Sequence, residues 1–103
     1  MPRATRFVMN LPVRYRVQGE KGWSYGMSIN VSASGLLFRA DRQVAPHARM
    51  QIEVVLPGDE QGSARVAARG AVTRVSSEDP GADRLIAAHL ESPDLVRSAR
   101  SIH

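Results

Sequence analysis

Asn30, Ser32 and Gly35 stand in the spacing Asn-x-Ser-x-x-Gly, and most of the recognition chemistry in this sequence gathers around them. On a strand, residues two apart point the same way, so an amide and a hydroxyl would face one ligand together. A glycine three residues later closes the turn beyond them. Upstream, Arg3, Arg6, Arg14 and Arg16 all precede the first acid, Glu20, which makes the N-terminal stretch locally basic. Guanidinium groups suit bidentate contact with phosphate and stacking on flat rings. Arg74, late in the chain, is a secondary ligand candidate whose facing the alternation leaves open. The favoured partner is anionic: a nucleotide, a nucleic acid or an acidic protein surface.

Catalytic groups are scarce. His47, His89 and His103 lack metal-ligand spacing, and the chain has no cysteine to supply a thiolate or nucleophile. No G-x-S-x-G elbow, P-loop or dinucleotide glycine fingerprint is present. Asp59, Glu60, Glu78, Asp79 and Asp83 sit in turn-like segments, where solvated loop charges are the ordinary reading. The sequence predicts a binding domain without catalysis, metal or cofactor.

The elements that must position these residues come from a chain of 103 residues, 43% hydrophobic and 23% charged, enough for one core. The net charge is +4 and only Lys21 among the 14 basic residues is a lysine, a bias that a GC-rich genome also produces. Apolar runs such as Gly35–Phe38 and Val54–Leu56 are far shorter than the ~18 residues of a membrane span. Arginines interrupt the N-terminus, so a signal peptide is not expected and the cytoplasm is the default address.

The dominant period is two. Leu11, Val13, Tyr15 and Val17 alternate with Arg14 and Arg16; Trp23, Tyr25, Met27, Ile29 and Val31 alternate with polar residues and Gly26. This phase assigns Trp23 and Tyr25 to the core. Further strands are predicted over Leu36–Arg39, Met50–Leu56, Arg65–Val75 and Arg84–Leu90, with Gly70 marking a bulge or a close backbone approach. Ser92-Pro93-Asp94 reads as a helix start, with Arg97 and Arg100 at the opposite end. The expected organisation is a single all-β domain over 1–103. It comprises a basic arm over 1–10, a six-stranded antiparallel β-barrel over 11–90 and a short C-terminal helix over 92–101.

At the Asn30–Gly35 motif the sequence resembles the PilZ domain family, bacterial receptors for the second messenger cyclic di-GMP. The family carries an R-x-x-x-R arm followed by a [D/N]-x-S-x-x-G turn. The resemblance takes in Arg6-Phe7, Leu11-Pro12-Val13, Asn30–Gly35, Gly35-Leu36-Leu37-Phe38 and Gly70-Ala71-Val72. It implies that arm arginines clasp guanine edges and phosphates while the Asn, Ser and Gly bind from the barrel side. Carried over by position, Asn30, Ser32, Gly35 and Arg6 match. Pro2 stands where the first arm arginine is expected, and Arg3 gives R-x-x-R instead.

The leading expectation is a non-enzymatic cyclic di-GMP-responsive domain that changes the surface it shows to a downstream protein effector. Its ligand residues would be Arg3, Arg6, Asn30, Ser32, Gly35 and Arg74. The alternatives are a PilZ-type adaptor that works by protein contact alone, as in motility or pilus control, and a small basic barrel binding single-stranded nucleic acid. The last is disfavoured if the aromatics lie in the core, which leaves little for base stacking. For the motif itself, a plain hydrogen-bonded turn at 30–35 and a solvated basic terminus are the competing readings.

Overall fold

The computed structural model describes residues 7–59, 62–76 and 84–99. Seven strands follow in chain order: β1 (Phe7–Val8), β2 (Pro12–Val17), β3 (Ser24–Val31), β4 (Gly35–Ala40), β5 (Arg49–Asp59), β6 (Gly62–Ser76) and β7 (Arg84–Ala99). All pairings are antiparallel, in the order β1-β3-β2-β5-β6-β7-β4, and a further β3–β4 pairing joins the ends. β2 to β7 therefore form the expected closed six-stranded barrel, which leaves the ring without a free edge. β1 is an outlier strand that continues the β2 side of β3 beyond Met9–Leu11.

The interior is filled from β2, β4, β5, β6 and β7. Tyr15 and Phe38 lie at its centre, fully buried, with ring centroids 5.2 Å apart and tilted at 52°. β3 contributes small residues in return. Gly26 and Ser28 face inward; a Cβ on Gly26 would run into the Arg39 carbonyl and lie 3.2 Å from the Phe38 ring. This reverses the expected phase of the strand. Trp23 is half-buried on the outside, Tyr25 is 66% exposed and Met27 is 45% exposed. Two large interior aromatics leave no room for a third row, so the small alternate residues turn inward and the bulky ones outward.

Four bulges modulate the ladder, one of them near the end of β5 between Leu56 and Asp59. β3 skips Ile29 between Ser28 and Asn30, and β6 skips Thr73 between Val72 and Arg74. Another lies in β7, where Ser92 and Pro93 oppose Ala68 alone and Ser92 takes a φ of +49°. Gly70, expected to mark a bulge or a close backbone approach, is the latter: a Cβ there would come 2.6 Å from Ile52 Cδ1.

No helix occurs among the described residues, and over Ser92–Ala99 the expected helix is replaced by the continuation of β7. The Gly62–Ala67 end of β6 offers a row of backbone groups that pair with Asp94–Ala99. Pro93 falls in the bulge, where its missing N–H removes no ladder bond. A helix of some ten residues would have to stand almost unaided against that pairing.

Candidate functional site

Asn30, Ser32, Gly35 and Arg74 line one groove of about 500 Å³, together with Leu37, Thr73, Ala87 and His89. The two bulges are what brings them together. Ser28 points inward and Val31 packs against the core, so regular alternation would also send Asn30 inward; the extra residue Ile29 turns it out. On β6, Val72 is buried and Val75 packs on the core, and the extra residue Thr73 leaves both Thr73 and Arg74 exposed. The Thr73 hydroxyl fixes this bulge by donating to the Ala87 carbonyl at 3.1 Å.

The 32–35 turn is held from within and from β7. The Ser32 N–H donates to the Gly35 carbonyl at 2.9 Å, and the Leu90 N–H to the Ser34 carbonyl at 2.9 Å. The Ser32 hydroxyl makes a long bond of 3.4 Å to the same Gly35 carbonyl. Gly35 is not demanded by this geometry. A Cβ there would meet Ser32 Oγ at 3.4 Å and the Ala88 carbonyl at 3.7 Å, both ordinary contacts. Arg74 and His89 are exposed, and no hydrogen bond or ion pair engages their side chains among the described residues. The groove thus presents an amide, two hydroxyls, an imidazole and a guanidinium, a set suited to a polar anion with ring edges.

Arg3 and Arg6 lie outside the described residues. Arg6 directly precedes Phe7, whose Cα partner is Val31, and Val8 pairs with Asn30. The arm therefore joins the barrel at the Asn30–Ser32 end of β3. The joint is built on Ser28. Its buried hydroxyl accepts the Leu11 N–H at 2.8 Å and donates to the Met9 carbonyl, bridging the step between β1 and β2.

Thr73 and His89 are site residues that the sequence pattern did not single out. The slip in alternation near Val75 was the available signal for Thr73. His89 had none, because its place follows from its pairing with Gly35 across β4 and β7. No group of His, Asp or Glu suited to a metal ion occurs among the described residues.

Comparison with known proteins bears on this arrangement. The family model for the PilZ domain matches residues 2–97. A structure of the Bacillus subtilis inhibitor of motility (MotI/DgrA) superposes with a TM-score of 0.72 at 15% identity, over 89% of this chain and 43% of that one. The chain spans less than half the length of that protein, and at this identity the likeness concerns the fold. No curated protein is significantly similar in sequence.

Proposed function

Because this chain belongs to the PilZ domain family, whose members are generally non-enzymatic receptor and adaptor domains in cyclic di-GMP signalling, we propose that it is itself a cyclic di-GMP receptor. The observation that carries the reading is the convergence of Asn30, Ser32, Gly35 and Arg74 on one groove at the point where the arm joins. In this reading Asn30 and Ser32 hold a guanine edge and a phosphate from the barrel side. Arg74 closes the flank, and Arg6 and Arg3 descend from the arm. Arginine serves both tasks, being bidentate toward guanine O6 and N7 and permanently charged toward phosphate. Ligand binding orders the arm, and the ordered arm alters the surface shown to a protein effector in the cytoplasm.

A second reading is an adaptor that binds no nucleotide. It is favoured by Pro2 at the expected arginine position and by the exposed apolar residues beside the arm, Val8 at 83% and Met27 at 45%. Calorimetric titration with cyclic di-GMP separates the two. Binding by the parent, weakened about 10- to 100-fold by Arg6→Ala and by Ser32→Ala, supports the receptor, since a charge-assisted bond is worth roughly 1.5–3 kcal/mol. A parent that binds nothing at high micromolar ligand is an adaptor.

A further inference from the structure

Across the ring from that groove, β2, β5 and β6 carry a second concentration of arginine. Arg16, Gln51, Arg69 and Glu91 are in register as one row over four strands. The neighbouring cations are neutralised: Arg14 and Arg65 share Glu53 at 2.6 and 3.0 Å, and Arg49 reaches Glu91 at 2.9 Å. Arg16 and Arg69 are not. Arg16 donates through Nε and Nη2 to Oε1 of the Gln51 side-chain amide, a neutral acceptor. Arg69 is exposed, with no hydrogen bond or ion pair to its side chain among the described residues.

Two grooves, of about 450 and 570 Å³, share Arg16, Gln51 and Arg69. The larger is floored by the small residues Ala67 and Ala68. Trp23 lies at one side and Ser92, in its left-handed conformation, at the other. The Trp23 ring stacks beneath the guanidinium carbons of Arg14 and Arg16 at 4.4 and 4.7 Å. The site thus holds two guanidiniums that no carboxylate pairs, two strand spacings (roughly 10 Å) apart, beside the half-buried Trp23 ring. The carboxylates in the larger groove's lining, Glu53 and Glu91, are taken up by Arg14, Arg65 and Arg49.

We infer that this face binds single-stranded nucleic acid, with phosphates at Arg16 and Arg69 and a base against the part of Trp23 that Arg14 and Arg16 leave uncovered. A guanidinium row beside an aromatic ring is the combination that such ligands need. An acidic polypeptide fits less well. β5 is paired on both sides here, so no free edge accepts an added strand, and the lining is too polar for an amphipathic helix. The outward position of Trp23 also removes the main objection that the sequence raised against this ligand class.

The test uses the full chain and a fluorescein-labelled 12-mer of oligouridylate, followed by anisotropy and by the emission of Trp23, the sole tryptophan. The expected result is micromolar or tighter binding at 50 mM salt with quenching of Trp23. Arg69→Ala should weaken it about five- to tenfold and lower the salt slope by about 0.7, one phosphate's worth on a single strand. Trp23→Leu should weaken it about tenfold, with a far-ultraviolet spectrum like the parent's. Saturating cyclic di-GMP and Ser32→Ala should leave it unchanged, which separates this site from the first. No binding at 50 mM salt, or binding indifferent to both Arg69→Ala and Trp23→Leu, overturns the inference. So does equal or tighter binding of a polyglutamate 12-mer in competition.

Discussion

Ser28 and Ser32 lie four residues apart around β3, and the structure assigns them opposite consequences. Ser28 is fully buried, and its hydroxyl serves two backbone groups where β1 steps to β2. In Ser28→Ala the Leu11 N–H, bonded at 2.8 Å and buried, loses its acceptor, at a cost of about 1–3 kcal/mol. The Met9 carbonyl loses its donor too, but Met9 is 38% exposed and water replaces most of that bond. The sum stays at about 1–3 kcal/mol. At this chain length 1 kcal/mol is about 4–8 °C, so the thermal midpoint should fall by roughly 5–20 °C. Ser32→Ala loses one long, half-buried bond and should stay within about 0.5 kcal/mol of the parent. Urea unfolding followed by far-ultraviolet dichroism measures both, with unchanged m-values as the sign that the denatured states are comparable. In cyclic di-GMP titrations the order should reverse, Ser32→Ala being the variant that keeps its fold and loses its ligand. Ser28→Ala as stable as Ser32→Ala would refute the assignment of the hydroxyl to the joint.

Gly35→Ala should fold with stability near or slightly above the parent, because the new Cβ meets only ordinary contacts, yet should weaken cyclic di-GMP binding. Unimpaired binding would return the glycine to a plain turn role. Tyr15 is the largest buried side chain, and its hydroxyl makes no hydrogen bond of ordinary geometry among the described residues, the Ser24 side chain being the nearest polar group that acts on it. Tyr15→Phe should therefore be neutral or stabilising by up to about 1 kcal/mol, where loss above about 1.5 kcal/mol in urea would reveal an unseen partner. Burial, opposed by nearby Arg42, raises the Tyr15 pKa above the ordinary phenol value. Its contribution is present in full below that ordinary value and declines as pH rises through the raised one; melts in alkali should show Tyr15→Phe losing less. Pro2→Arg restores R-x-x-x-R with Arg6 and should bind cyclic di-GMP more tightly than the control Pro2→Ala, by at most about 1.5–3 kcal/mol and less at high salt. Equal affinities would mean that the arm does not clasp the ligand in the manner the family implies.

The alternation of Val13 and Tyr15, and of Met50, Ile52 and Val54, made the barrel legible, because those stretches of β2 and β5 keep one phase. β3 misled for a physical reason. Its large residues are outside and its small ones inside, and period two alone does not say which set the interior needs. That depends on Tyr15 and Phe38, which arrive from other strands. The extension of β7 was hidden for a similar reason: Ser92-Pro93-Asp94 carries a local helix signal, while the long unpaired end of β6 is a tertiary demand. Asn30, Ser32 and Gly35 were legible because the motif is contiguous. Thr73 and His89 were not, since strand register brings them in from β6 and β7.

The bulges give the strongest physical reason to regard the groove as used. On regular strands Asn30 and Arg74 would turn into a barrel filled by residues such as Val72, Ile86 and Phe38. An unpaired guanidinium in such a core would cost several kcal/mol. Apolar residues at both positions would remove the conflict and allow unbroken ladders. Instead each strand breaks phase once, at Ile29 and at Thr73, and resumes it at once with Val31 and Val75. Both breaks open toward the same face, and both flank the β4–β7 pair that carries Gly35 and His89. The arm is fixed within two residues of Asn30: β1 pairs at Val31 and Asn30, the Met9 N–H reaches the Ile29 carbonyl at 3.2 Å, and Ser28 holds the joint. A ligand on Asn30 would therefore press on the same few bonds that attach the arm. That proximity is the structural basis on which a small anion could change the arm without rearranging the barrel.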